Sequence, residues 1–121
     1  MGKAAKPIGA LVLAATLALW SPIARAHAII VSATPANGAV IAGSELAIEI
    51  RFNARVDSRL SRLTLATPDG GSVILPLADG APDALQAKAS GLAPGAYRLH
   101  WQTLSVDGHL TQGDISFEMG R

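Results

Sequence analysis

Leu46-Ala47-Ile48-Glu49-Ile50-Arg51-Phe52 alternates without a break: Leu46, Ile48, Ile50 and Phe52 share one face, and Ala47, Glu49 and Arg51 share the other. A helix would scatter these apolar residues around its circumference, whereas an extended chain lines them up, so the stretch is a strand with one face in a core. Working outward, Tyr97, Leu99 and Trp101 oppose Arg98, His100 and Gln102 in the same way, and Ile115, Phe117 and Met119 point inward near the end. Further extended segments read at Ala28–Ala33, from Leu63 and Leu65, at Ser72–Leu77 and at Ala84–Ala89. Turn residues punctuate them at Asn37-Gly38, Pro68-Asp69-Gly70-Gly71, Asp79-Gly80 and Pro94-Gly95. About seven short strands at this spacing predict an all-β, antiparallel sandwich of Ig-like or Greek-key character. Residues 53–62 fit neither period and read as a loop with room for a helical turn.

Upstream the chain changes character. Lys3 and Lys6 precede an apolar run from Ile8 to Trp20, followed by Ser21-Pro22 and Ala24-Arg25-Ala26. A basic start, a short apolar middle and an A-x-A end describe a secretory signal peptide. The run is shorter than the roughly 20 residues a membrane-spanning helix needs, so a retained anchor is the weaker reading. The expected division is a signal peptide over 1–26, cleaved after Ala26, and one β-sandwich domain over 27–121. That places the mature protein in a bacterial periplasm, with no stable membrane insertion after cleavage.

The whole chain has ten Lys+Arg, nine Asp+Glu and a formal charge of +1. Lys3, Lys6 and Arg25 leave with the leader, so the mature part holds seven basic and nine acidic residues, a formal charge of −2. Nothing in that balance suggests a nucleic-acid-binding surface. The chain has no cysteine, which excludes disulfides, thiolate zinc sites and iron–sulfur clusters.

Cleavage after Ala26 makes His27 the first residue, and an N-terminal histidine offers an amine and an imidazole to one metal ion. The precursor has an amide there, so export would complete the site. The only other histidines are His100 and His109. His100 lies on the polar face of its strand, and alternation alone accounts for it. His109 follows Asp107-Gly108, with an extended local backbone expected to turn both side chains to one side. A metal-free turn, with Asp107 capping backbone amides, is the plain alternative for this spacing. Together with His27 the loop completes three nitrogens and one oxygen, which suits tetragonal Cu(II). Zinc could use the same donors in a tetrahedral arrangement.

These residues carry a family resemblance. His27-Ala28, Ser32-Ala33-Thr34-Pro35-Ala36-Asn37-Gly38 and Leu92-Ala93-Pro94-Gly95-Ala96-Tyr97 resemble motifs of the periplasmic copper-resistance CopC family. So do Trp101, Ser105, Asp107, Gly108, His109, Gly113 and Phe117, which match the pattern W-x-x-x-S-x-D-G-H-x-x-x-G-x-x-x-F. The resemblance spans the mature domain. It implies His27, Asp107 and His109 as the ligands of one Cu(II) ion per chain, with Tyr97, Trp101 and Phe117 as core. It also implies copper sequestration, resistance, or delivery to an inner-membrane copper transporter of the CopD type. Ala54 stands where many members carry an acidic residue, which leaves open whether Asp57 replaces it. The chain has two methionines, Met1 and Met119, too few for the thioether-rich Cu(I) site of some members.

Two other classes compete with a copper carrier. A histidine-brace copper monooxygenase also uses an N-terminal histidine, but Asp107 would occupy a position its oxidant needs, and no aromatic platform for sugars is evident. A metal-free Ig-like interaction module is allowed by the fold alone. The expectation is a binding protein without enzymatic turnover. Asp114 and Glu118 read as solvated charges.

Overall fold

The computed structural model describes residues 28–105 and 107–121. Eight strands follow one another: β1 (Ile30–Thr34), β2 (Ala39–Ile41), β3 (Leu46–Phe52), β4 (Val56–Ala66), β5 (Ser72–Leu75), β6 (Ala84–Ala89), β7 (Gly95–Ser105) and β8 (Leu110–Met119). They form a three-stranded sheet, β1-β3-β6, and a five-stranded sheet, β2-β8-β7-β4-β5. All neighbours pair antiparallel except β2 and β8, which run parallel. The all-β, Ig-like expectation from alternation therefore holds.

The core lies between the sheets. Leu46, Ile48, Ile50 and Phe52 of β3 and Leu85 of β6 face Leu63, Leu65, Leu99, Trp101, Ile115 and Phe117, all buried. Each such side chain contributes about 1.5–3 kcal/mol when fully buried. Phe52 meets Trp101 edge-on across the sheets, with ring centroids 5.4 Å apart at 63°. Tyr97 stacks on Phe117 at 5.6 Å within one sheet. The Tyr97 hydroxyl donates back to the carbonyl of Ala93 at 2.6 Å, which ties the turn before β7 to the strand, as in the tyrosine corner of Ig-like domains.

Three expectations need correction. Residues 56–62 belong to β4 and are not a loop. Their irregular pattern has a cause: β4 pairs with β7 at Val56↔Ser105 and Asp57↔Leu104, then resumes only at Arg62↔Gln102. Residues 58–61 therefore bulge opposite the single residue Thr103, and a bulge interrupts period two. Strand β2, too short to show a period, makes eight strands rather than seven. The last strand starts at Leu110, well ahead of the inward run of Ile115, Phe117 and Met119, so Ser105 and His109 close a tight hairpin.

Two features set the end of the sandwich at which that hairpin stands. The Phe52 amide donates to the Asp83 carbonyl at 2.8 Å and the Val56 amide to the Pro82 carbonyl at 3.0 Å, which ties the β3–β4 connection to the segment ahead of β6, while Val56 pairs with Ser105 at the end of β7. Gly113 pairs with Trp101, and a Cβ at Gly113 would lie 2.9 Å from Cζ2 of the indole. Only a residue without a side chain lets the ring lie flat on β8 there.

Candidate metal centre

The β7–β8 hairpin closes through the Ser105 amide, which donates to the His109 carbonyl at 3.0 Å, and the Gly108 amide, which donates to the Ser105 carbonyl at 2.9 Å. Gly108 has φ +89°, the left-handed position that such short connections place on glycine. The turn, rather than an extended backbone, is what brings Asp107 and His109 together. His109 Nδ1 lies 3.0 Å from Asp107 Oδ2, with the side chains 51% and 35% exposed. Neighbouring donors at right angles around one ion, each about 2.0–2.1 Å from it, stand roughly 2.8–3.0 Å apart. The pair is in hydrogen-bond contact, and the same separation falls within the range for adjacent ligands of one cation.

Ser105 organises this pair. It is 4% exposed, and its hydroxyl donates to Asp107 Oδ1 and lies 3.2 Å from the His109 carbonyl oxygen. The His109 amide donates to the same Asp107 oxygen at 3.3 Å. The Ser105 hydroxyl is the largest influence holding the Asp107 carboxyl down to about 2; desolvation opposes it, and the ring, amide and charge of His109 each add smaller lowering contributions. Asp107 is thus an anion at any pH at which a cation would compete with protons for the imidazole.

His27 lies outside the described residues, as do the expected signal peptide over 1–26 and its expected cleavage point. Its chain neighbour Ala28 is 1% exposed within the core cluster. The Ile29 amide donates to Asn53 Oδ1 at 2.8 Å, and the Asn53 amide donates to the Ile29 carbonyl at 2.9 Å. Asn53 follows Phe52 and precedes Val56, the partner of Ser105, so Ala28 enters at the hairpin end of the sandwich. Among the described residues no three His, Asp or Glu side chains converge as a metal cluster. The hairpin accordingly offers two side-chain donors.

The remaining candidates make other contacts. Asp57 turns its carboxylate onto the Arg59 amide at 3.0 Å and the Arg59 guanidinium at 3.4 Å. Met119 is 2% exposed in the core. His100 pairs across the strands with Asp114, Nδ1 to Oδ1 at 2.8 Å, so Asp114 is not a simple solvated charge. That contact depends on the β7–β8 register, which no local pattern reports. The role of Ser105 was half visible, since it belongs to the same motif and to the inward phase of β7.

A sequence model of the CopC domain matches residues 30–120. Protein YobA of Escherichia coli (strain K12) is 31% identical over 108 residues, covering 86% of this chain and 87% of that protein. Copper resistance protein C of Pseudomonas syringae pv. tomato is 28% identical over 115 residues, covering 84% and 86%. The crystal structure of CopC from Methylosinus trichosporium OB3b superposes with a TM-score of 0.71 at 28% identity, covering 77% of this chain and 93% of that one. PcoC, a methionine-rich copper resistance protein from Escherichia coli, superposes with a TM-score of 0.60 at 20% identity over 78% of this chain and 100% of that one, a likeness of fold.

Proposed function

The chain belongs to the CopC family of copper resistance proteins, and on that premise we propose that it is an exported, periplasmic carrier of one Cu(II) ion. In this reading the leader over 1–26 is removed, and the domain over 27–121 binds the ion through the His27 amine and imidazole, Asp107 and His109. The supporting observation is the Asp107–His109 pair, a pre-formed carboxylate and imidazole 3.0 Å apart, at the end of the sandwich where Ala28 enters the core. The peptide bond to Ala28 keeps residue 27 within one residue's reach of that end. Three nitrogens and one carboxylate oxygen suit Cu(II), which heads the divalent affinity series.

The protein's own residues do the binding work. Ser105 fixes the carboxylate as an anion, Gly108 makes the turn, and the buried Ala28 anchors the segment carrying the first residue. No turnover is assigned. The core position of Met119 and the small methionine count favour Cu(II) over a thioether site for Cu(I). The ion would be held for resistance or passed to a CopD-type inner-membrane transporter.

The test blocks the amine. One extra residue ahead of His27, or acetylation of its nitrogen, is expected to weaken Cu(II) binding by orders of magnitude while the circular dichroism spectrum stays unchanged. Electron paramagnetic resonance of the untreated exported protein is expected to show three nitrogen donors. Equal affinity with and without the block refutes the N-terminal chelate.

A further inference from the structure

The start of β1 is tied to its sheet by little regular pairing. β1 meets β3 at Ile30↔Phe52 and again from Ser32↔Arg51 onward, with a register shift between the two. That irregularity sets Ile30 apart from the rest of the ladder, with Ile29 exposed and Ala28 buried ahead of it. A bulge of this kind disrupts the ladder locally, so the stretch beyond it needs other support.

Asn53 supplies it. Its amide donates to the Ile29 carbonyl at 2.9 Å, and its Oδ1 accepts the Ile29 amide at 2.8 Å. Opposed residues of an antiparallel pair exchange two such bonds through their main chains. Here a side-chain oxygen replaces the second carbonyl, as asparagine allows where a chain leaves regular structure. Asn53 does leave it: β3 ends at Phe52 in one sheet, and Val56 opens β4 in the other, paired with Ser105. Ser105 in turn donates to Asp107. The β3–β4 connection is therefore a strut, with Ile29 clasped at one end and the closing residue of the hairpin paired at the other.

We infer that Asn53 is a positioning residue for copper binding: its side chain clasps Ile29 and holds the segment ahead of β1 in register with the Asp107–His109 hairpin. The inference rests on the proposed N-terminal chelate. An ion that draws donors from two segments distant in the chain binds more tightly when both are already in place. Without the Oδ1 bond, residues 28 and 29 fray in the metal-free protein, and the ion must restore their order. The loss is bounded by the net worth of one hydrogen bond, about 2–10-fold in affinity.

The experiment uses protein purified after export, its first residue established by intact mass. Wild type is compared with Asn53→Leu, which keeps the bulk but loses the acceptor, and Asn53→Asp, which keeps the oxygen; Asn53 is exposed, so neither disturbs the core. In metal-free protein the Ile29 amide is expected to exchange with solvent faster in Asn53→Leu and at the wild-type rate in Asn53→Asp. Cu(II) affinity by chelator competition is expected to fall about 2–10-fold in Asn53→Leu and not to fall in Asn53→Asp. With the amine blocked, Asn53→Leu and wild type are expected to bind Cu(II) equally, since the clasped segment then contributes nothing. Unchanged Ile29 exchange or unchanged affinity in Asn53→Leu, or an equal loss with and without the block, overturns the inference while leaving the chelate standing. A wild type that shows no amine-dependent binding overturns both.

Discussion

Gly113→Ala tests whether the Trp101–Gly113 contact controls the end of the sandwich that carries the hairpin. An alanine Cβ would lie 2.9, 3.0 and 3.1 Å from Cζ2, Cε2 and Nε1 of Trp101. Non-bonded heavy atoms settle at about 3.5–4.0 Å, so the indole must retreat by roughly half an ångström or β8 must lift. The ring has little room to retreat, being 6% exposed and in edge contact with Phe52. Overpacking of this kind costs about 1–3 kcal/mol. Replacing a strand glycine returns about 0.5–1 kcal/mol of backbone entropy. The difference spans about 0–2.5 kcal/mol, with a midpoint loss of about 1.3 kcal/mol, which in a domain of this size lowers Tm by roughly 5–10 °C. Thermal unfolding of the metal-free exported chain, followed by Trp fluorescence and near-ultraviolet circular dichroism, measures it. The chain has two tryptophans, Trp20 and Trp101, and under the proposed removal of residues 1–26 Trp101 would be the sole reporter. A Tm equal to or above that of the wild type, with an unchanged aromatic spectrum, would refute the steric reasoning.

Two further outcomes follow from single hydrogen bonds. Ser105→Ala removes the largest influence holding the Asp107 carboxyl at about 2, so its titration in metal-free protein should move up toward 3.8; carboxyl carbon resonances followed through acid pH read this directly. A depressed carboxyl stabilises the fold fully above its unfolded pKa and ceases to do so as pH falls toward about 2, so this carboxyl's share of the difference between variant and wild type should persist at neutral pH and vanish in strong acid. Tyr97→Phe removes the bond to the Ala93 carbonyl and should cost about 1 kcal/mol, or roughly 4–8 °C in Tm, with the far-ultraviolet spectrum preserved.

Much of the fold was legible because alternation is a local property. Leu46–Phe52 and Tyr97–Trp101 announce their buried faces within a few residues, and the burial pattern of β3 and β7 follows them position by position. The β4 bulge was illegible for the converse reason: Asp57 to Arg62 follow no period, and what holds them in a strand is the ladder to β7 and the Ser61–Thr103 bond, 42 residues apart in the chain. At the hairpin, Asp107-Gly108-His109 marked a turn and a donor pair, whereas the reason their side chains meet lies in the closing bonds from Ser105 and Gly108.

The order of residues by itself determined the two-faced strands, the turn at Gly108, the chemical kinds of donor available and the family to which they belong. Tertiary structure alone decided that β2 lies parallel to β8, that His100 meets Asp114, that Ala28 enters at the hairpin's end, and that the buried Thr111 Oγ1 has no hydrogen-bond partner among the described residues. The division has a physical cause. Side-chain phase follows from the geometry of one extended chain, but neighbours across a ladder or between sheets depend on register and packing, which form only when distant segments compete for the same core.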